Sequence, residues 1–263
     1  MIQPAPAAVP IHYPSSDGKP MAENDAQRSA IMYGIGALMR HFRERRDVHV
    51  SGDLLLYYEE GNPRVSIAPD VFVVFGVEKR ERLNYKLWEE GRAPSFVLEV
   101  ASRSTWRDDL GRKRSVYARL GVSEYWQYDP TGEYLPARLQ GERLTRSGYV
   151  RQPALTAPDG ALTLRSRTLA LELRAAPGRE MRFRDPATGD DLRSHDEEAA
   201  GRLTAETRVA AAETRVAAAE TRAAAAAEDR ATESAARLAA EARATAAEAR
   251  VAELEALLRK RSG

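Results

Sequence analysis

The chain has no cysteine, which excludes disulfides and thiolate metal sites without fixing a compartment. It also lacks a dominant charge. Forty Lys and Arg stand against 39 Asp and Glu, a formal net charge of +1, so no overall basic field marks it for nucleic acid. No apolar run approaches the length needed to span a bilayer. The opening MIQPAPAAVPIHYPSSDGKP is rich in proline and has no long apolar core of the secretory type. A cytoplasmic protein is the expectation that these absences leave.

What is present divides the 263 residues into three parts. Residues 1–20 read as a flexible arm, 21–193 as one mixed α/β domain, and 194–263 as a helical tail. In the domain, Asn24 or Asp25 can cap a helix. Its apolar positions Ile31, Ile35, Leu38, Met39 and Phe42 recur at helical spacing. Gly34 and Gly36 weaken that helix locally and suit close packing on a sheet. Strand-like runs follow at 48–50, 53–58, 65–67 and 71–75, with a turn at Asn62-Pro63. Residues 78–93 fit a short helix or a loop. A strand at 96–100, a helix at 107–120 and a strand at 125–128 come next, with Gly121 closing the helix in the left-handed conformation. Shorter strands near 138–139, 149–150, 169–173 and 181–183 complete the domain, with a turn at 185–191.

From Ala205 the tail is largely Ala, Glu, Arg and Thr, with no Gly or Pro before the final residue. ETRVAAA begins at Glu206 and again at Glu213. With Val209 at heptad position a, that position also holds Val216, Val251 and Leu258, while d holds Ala212, Ala219 and Leu254. Arg208 and Arg215 fall at g, Glu213 and Glu220 at e, so opposite charges flank the seam of a parallel pair. One reading is therefore a coiled-coil homodimer. Its seam is alanine-rich, buries little area, and is interrupted by Arg230, Glu233 and Arg237. The other reading is a single solvated helix favoured by alanine propensity.

The chemistry concentrates between Pro94 and Pro130, in PSFVLEVASRSTWRDDLGRKRSVYARLGVSEYWQYDP. Glu99 sits inside an apolar strand, where a carboxylate is costly without a partner or a metal. In extended backbone, Phe96, Leu98 and Val100 share one face, and Val97 and Glu99 the other. At about 100° per residue, Leu110, Val116, Tyr117 and Leu120 share one arc of the following helix. Lys113 falls inside that arc and Asp109 near its edge, so both should point toward the sheet, which is unusual for these residue types. An i,i+4 ion pair with a snorkelling lysine accounts for the helix alone. If the helix packs on the Glu99 face, Glu99, Lys113 and Asp109 converge. Asp70 opens the preceding apolar run, APDVFVVF, although a Pro-Asp turn by itself explains its place. Two carboxylates on neighbouring strands suit Mg²⁺ or Mn²⁺, and an ammonium beside them can stabilise charge developing on a phosphate.

APDVFVVF, PSFVLEVASRST, DLGRKRSVYARLGVSEYW and the closing DP, taken in order, resemble the Uma-type restriction endonuclease family of the PD-(D/E)xK nuclease superfamily. The resemblance covers residues 20–193. It implies a restriction-endonuclease-like mixed β-sheet flanked by helices, and a Mg²⁺-dependent enzyme that hydrolyses DNA phosphodiesters. It matches Pro69-Asp70 to the PD element and Glu99 to the second acid. The lysine usual two residues later is absent, because position 101 is Ala. The family is similar in placing that lysine on the next helix, here Lys113, with Asp109 as a further polar member. The resemblance also implies Asp70, Glu99 and the Val100 carbonyl as metal ligands, with Lys113 orienting or helping to activate water. An extra acid from the first helix is frequent in such enzymes, and Glu23 is the nearest candidate. Gln127 fits an approach to a phosphate or, more simply, an exposed strand position. Arg103, Arg107, Arg112 and Arg114 surround the place, and a solvated surface explains them equally well. Trp88, Trp106 and Trp126 read as packing residues. Two other functions fit the chain: a binding module of this fold without catalysis, and a scaffold whose tail is the working element.

Overall fold

The computed structural model describes residues 11–18, 20–178 and 180–261, with the side chains of 258–261 outside that description. Most of the expected N-terminal arm and the heptad side chain of Leu258 therefore lie outside the described residues. The chain forms two compact units, Met1–Glu198 and Ala199–Gly263.

The first unit opens with α1 (Asp25–His41), capped by Asn24, whose Oδ1 accepts from Gln27 N at 2.8 Å. Next come β1 (Val48–Ser51), β2 (Leu56–Tyr57), β3 (Ser66–Ile67), β4 (Val71–Phe75), β5 (Tyr85–Lys86), α2 (Leu87–Glu90) and β6 (Phe96–Val100). The helical segment after β6 is α3 (Trp106–Asp108), a π-turn over Asp109–Lys113, and α4 (Arg114–Leu120), which Gly121 ends at φ 83°. Then follow β7 (Glu124–Tyr128), β8 (Leu139–Thr145), β9 (Gly148–Arg151), β10 (Leu155–Thr156), β11 (Leu162–Arg165), β12 (Glu172–Ala175) and β13 (Arg182–Arg184).

Six strands build the central sheet in the order β1-β4-β6-β7-β8-β9, in which only β6 and β7 run parallel. A parallel pair needs a crossover, and the helices after β6 supply it. Strand alternation then sorts the two faces. Val71, Val73, Phe96, Leu98 and Val100 pack on one side with α1 and the small sheet β10–β13. Phe72, Val74 and Val97 pack on the other with Val116 and Tyr117 of α4 and with the small sheet of β2, β3 and β5. A Cβ on Gly34 would meet Val71 Cγ2 at 3.0 Å, so that glycine lets α1 lie close on the sheet.

Several expectations change. Gly36 does not face the sheet, because a Cβ there would meet only Arg40. Met39 is exposed rather than core. The run at 53–58 shrinks to β2, since Asp53 turns the chain at φ 51°. The helix at 107–120 is interrupted by its π-turn. β8 is longer than expected because its buried Gln140, Gly141 and Glu142 break the apolar alternation that marks strands.

The last helix, α5 (His195–Arg261), carries almost only exposed side chains through residue 257. The hydroxyls of Thr207, Thr214 and Thr221 donate to the carbonyls of Leu203, Ala210 and Ala217 at 2.8–2.9 Å. These threonines therefore satisfy themselves within their own helix. Among the described residues no helix is long and apolar enough to cross a membrane.

Candidate active site

β4 and β6 bring two carboxylates together. Val71 is the register partner of Leu98, so Asp70 and Glu99 stand one residue further along neighbouring strands. Backbone packing fixes Asp70 from behind. Asp53 N donates to the Pro69 carbonyl at 2.9 Å, and a Cβ on Gly52 would fall 2.1 Å from the Asp70 carbonyl oxygen. Only glycine fits there. On the other side, Asp70 Oδ2 accepts from Val100 N at 2.7 Å.

Glu99 is fully buried, and both its oxygens are engaged. Lys113 Nζ donates to Oε2 at 2.8 Å, and the Tyr117 hydroxyl donates to Oε1 at 2.5 Å. Lys113 Nζ also lies 2.9 Å from Asp109 Oδ1, although neither Asp109 oxygen accepts a well-directed hydrogen bond. The π-turn delivers Asp109 and Lys113 inward together. Its Asp109 carbonyl accepts from the Tyr125 hydroxyl at 2.8 Å. Behind it, Gln127 Nε2 reaches the Tyr125 hydroxyl at 3.2 Å, and Gln140 Nε2 donates to Gln127 Oε1 at 2.7 Å. Gln127 is buried, not an exposed strand residue.

Two of the three acids thus pair with one ammonium, and Asp70 stands close enough to feel its charge. Burial pushes Asp70 up to about 6, against the pull of Lys113 and the Val100 N–H. Burial pushes Glu99 up to about 7 against Lys113, with the charge of Asp70 reinforcing it. Asp109 also rises to about 7, through burial and the charge of Glu99. Burial alone would lower Lys113, but Glu99, Asp109 and Asp70 outweigh it and hold the ammonium well above the usual lysine range. Burial likewise keeps the Tyr117 hydroxyl protonated, as its role of donor requires.

A family model described as "Uma2: Putative restriction endonuclease" matches residues 17–175. The chain belongs to this family. No curated protein matches the chain. Among solved structures, it is similar to one titled as a putative nuclease belonging to DUF820 from Anabaena variabilis. That likeness has 11% identity over 62% of this chain and 68% of the other, with a TM-score of 0.34.

Within this Uma2 domain, the sequence-predicted Asp70, Glu99, Asp109 and Lys113 converge, and the Val100 backbone lies beside them. Glu23 does not join them. It is exposed, and its Oε1 accepts from Ser104 N at 3.2 Å. The contribution of α1 is instead an amide: Gln27 Nε2 donates to the Val100 carbonyl at 3.1 Å. Tyr117 was legible as a core position, but nothing local announces its hydroxyl on Glu99. Arg112 and Arg114 do not enter the site, being paired with Asp108 and Glu142. Asp129, of the DP motif, accepts from four backbone N–H groups between Thr131 and Leu135, so it shapes its own loop. Trp126 is fully buried against Phe96 and is a packing residue.

Proposed function

We propose that this Uma2 domain is a metal-dependent DNA endonuclease of the PD-(D/E)xK type whose lysine comes from the helix after the second acid. The observation that carries the reading is the Lys113 ammonium held between Glu99 and Asp109, with Asp70 alongside. Charge burial on that scale is costly for stability and is characteristic of functional sites.

The residues fit a divalent cation. Three buried acids surround a single ammonium, which pairs with Glu99 and Asp109 only, and all three acids are pushed toward protonation. Asp70, Glu99 and the Val100 carbonyl would hold Mg²⁺ or Mn²⁺, because each oxygen has a second lone pair beyond its present hydrogen bond. Among the described residues no group of three or more His, Cys, Asp or Glu is arranged to hold a metal ion by itself. Mg²⁺ commonly uses one or two carboxylates and completes its shell with waters. When bound, such an ion polarises the scissile phosphate and acidifies a coordinated water.

The chain's own groups do the rest. Lys113 sits as an ammonium between Glu99 and Asp109. It stabilises charge on the phosphate and orients the attacking water. Asp109 and Glu99 hold the ammonium in place, and Tyr117 fixes the rotamer of Glu99. Gln27 steadies the Val100 carbonyl.

The test is cleavage of plasmid DNA with Mg²⁺ or Mn²⁺. Wild type should nick it, chelator should stop the reaction, and Glu99→Ala should lose it. Equal nicking by wild type and Glu99→Ala would identify a contaminant and end the assignment.

The heptads of α5 support a second element of the proposal, a parallel homodimer through that helix. Val209, Val216, Val251 and Leu254 are all exposed along it. Sedimentation of the full chain against a chain ending at Glu198 decides the matter, since two equal monomers would exclude the pair. A dimer would let two sites address the two strands of a duplex.

A further inference from the structure

A second cluster of charge stands on the other face of the central sheet. Arg143 is three residues from Gln140 and pairs in register with Glu124, itself three residues from Gln127. Alternation therefore sends Arg143 and Glu124 away from the Glu99 face. There, β8, β9 and the turn between β11 and β12 border an open cleft of about 720 Å³. Arg143, Gln152, Arg165, Ser166 and Arg167 line it, and among the described residues no carboxylate does. Arg151 borders it as well, but its guanidinium donates to Gln140 Oε1 on the Glu99 face.

Glu124, the buried acid behind the cleft, is spent on building the wall, while Glu172 stands opposite Arg165 in the β11–β12 register. Glu124 is fully buried and accepts from Arg143 Nη2 at 3.2 Å, from the Ser166 hydroxyl, and from Arg167 N at 3.0 Å. Ser166 Oγ in turn accepts from Leu169 N at 2.9 Å, which sets the turn that presents Arg167. Glu124 thus fixes Arg143 and the base of the turn, while Arg165 and Arg167 reach solvent.

Gln152 supplies the decisive detail. Its Oε1 accepts from Arg143 Nη2 at 2.9 Å. Arg143 has only donors, so this bond fixes which end of the amide is oxygen. Among the described residues, Gln152 Nε2 is then a buried donor with no partner. An unpaired buried donor is costly, and an acceptor from outside the chain would relieve it. Three arginines, Arg143, Arg165 and Arg167, beside a free amide donor match an anion with several oxygens, and the fork of Arg suits phosphate particularly well.

We infer that this cleft binds a phosphate group, carried by a nucleic-acid strand or by a free nucleotide, at a place separate from the Glu99 site. The inference that the strand is its source rests on the nuclease reading, while the phosphate chemistry does not.

The experiment measures binding of the full chain, in chelator, to a labelled DNA duplex and separately to a labelled mononucleotide, across a salt series. The probes are compared on wild type, Arg165→Ala/Arg167→Ala, the matching double lysine variant, and Gln152→Met. For DNA, the double alanine variant should weaken binding about tenfold or more and lower the salt slope by about 2, since each phosphate contact contributes about 0.9. The lysine variant should restore the slope but not the full affinity. Gln152→Met should weaken binding a few-fold at unchanged slope. If the nucleotide alone binds and the same variants weaken it, the phosphate site stands and its source is the free nucleotide.

Wild-type affinity and slope in both alanine and methionine variants, with either probe, would overturn the inference. So would binding of neither probe by wild type. Plasmid cleavage separates this from the catalytic reading. An inert wild type whose DNA binding still depends on Arg165 and Arg167 loses only the nuclease. An active wild type indifferent to these changes loses only the cleft.

Discussion

The segment from Phe96 to Gly121 and the helix α5 are both rich in charge, and they place it in opposite ways. Glu99, Asp109 and Lys113 have relative exposures of 0%, 1% and 9%. The pair Arg237–Glu241 of α5, also four residues apart, keeps side-chain exposures of 81% and 59%. An exposed pair costs little to make and contributes little. A buried triad of two acids and a lysine is costly to desolvate. The same i,i+4 spacing is thus a surface ornament of a helix in one region and a chemical group in the other. What separates them is the sheet beneath the first, which turns a local pattern into a site.

The comparison can be sharpened by removing partners on each side. The largest effect should come from Tyr117→Phe, which leaves Glu99 Oε1 buried without its donor. Stability should fall by about 1–3 kcal/mol, visible as a lowered Tm, with cleavage reduced alongside. An unchanged Tm would mean that the hydroxyl on Glu99 is dispensable.

A smaller effect should follow from Asp109→Asn, and its sign depends on pH. The folded carboxyl binds its proton more tightly than the unfolded one, because burial raises it from 3.8 to about 7. The stability it contributes is present below pH 4 and lost as pH rises through 7. Lys113 stays charged throughout this window and does not offset the loss. Without metal, the variant should therefore melt a few degrees above wild type at pH 8 and gain nothing at pH 4, about 2–4 °C per kcal/mol for a chain of this size. A wild type that melts higher at pH 8 would mean the site stabilises the fold with its acids ionised.

The smallest effect belongs to α5. Arg237→Ala should change stability by less than about 0.5 kcal/mol, and denaturant unfolding of the full chain checks it. A larger loss would show that the pair has a partner beyond its own helix.

Much of the fold was legible because its signals are local. Asn24 as a cap, the apolar runs at 71–75 and 96–100, and Gly121 as the helix end each depend on residues within a few positions. Glu99 was legible as an anomaly in such a run, and Lys113 as one on a helix face. The wheel placed Asp109 only near the edge of the inward arc. The π-turn explains this, since it rotates the segment away from the regular period, and Asp109 is in fact fully inside.

Other features depend on pairings across the sheet that no window of sequence contains. Gln127 and Gln140 are buried as register partners: Gln140 Nε2 donates to Gln127 Oε1, while the Tyr125 hydroxyl and the Arg151 guanidinium satisfy their other ends. Gln27 reaches the Val100 carbonyl from 73 positions away. Glu124 looks like any strand carboxylate until Ser166 and Arg167 close on it. β10 is a two-residue edge strand, too short to show alternation, and β11 is an alternating run of only four residues.

The central claim is that Lys113, delivered by the π-turn, takes the place of the lysine missing at Ala101. Its most direct test is Lys113→Met, which keeps most of the stem and removes the ammonium. Cleavage of plasmid DNA by the purified variant in saturating Mg²⁺ should fall at least about 100-fold, with the far-UV spectrum unchanged. A folded Lys113→Met protein that cleaves as fast as wild type would contradict the claim.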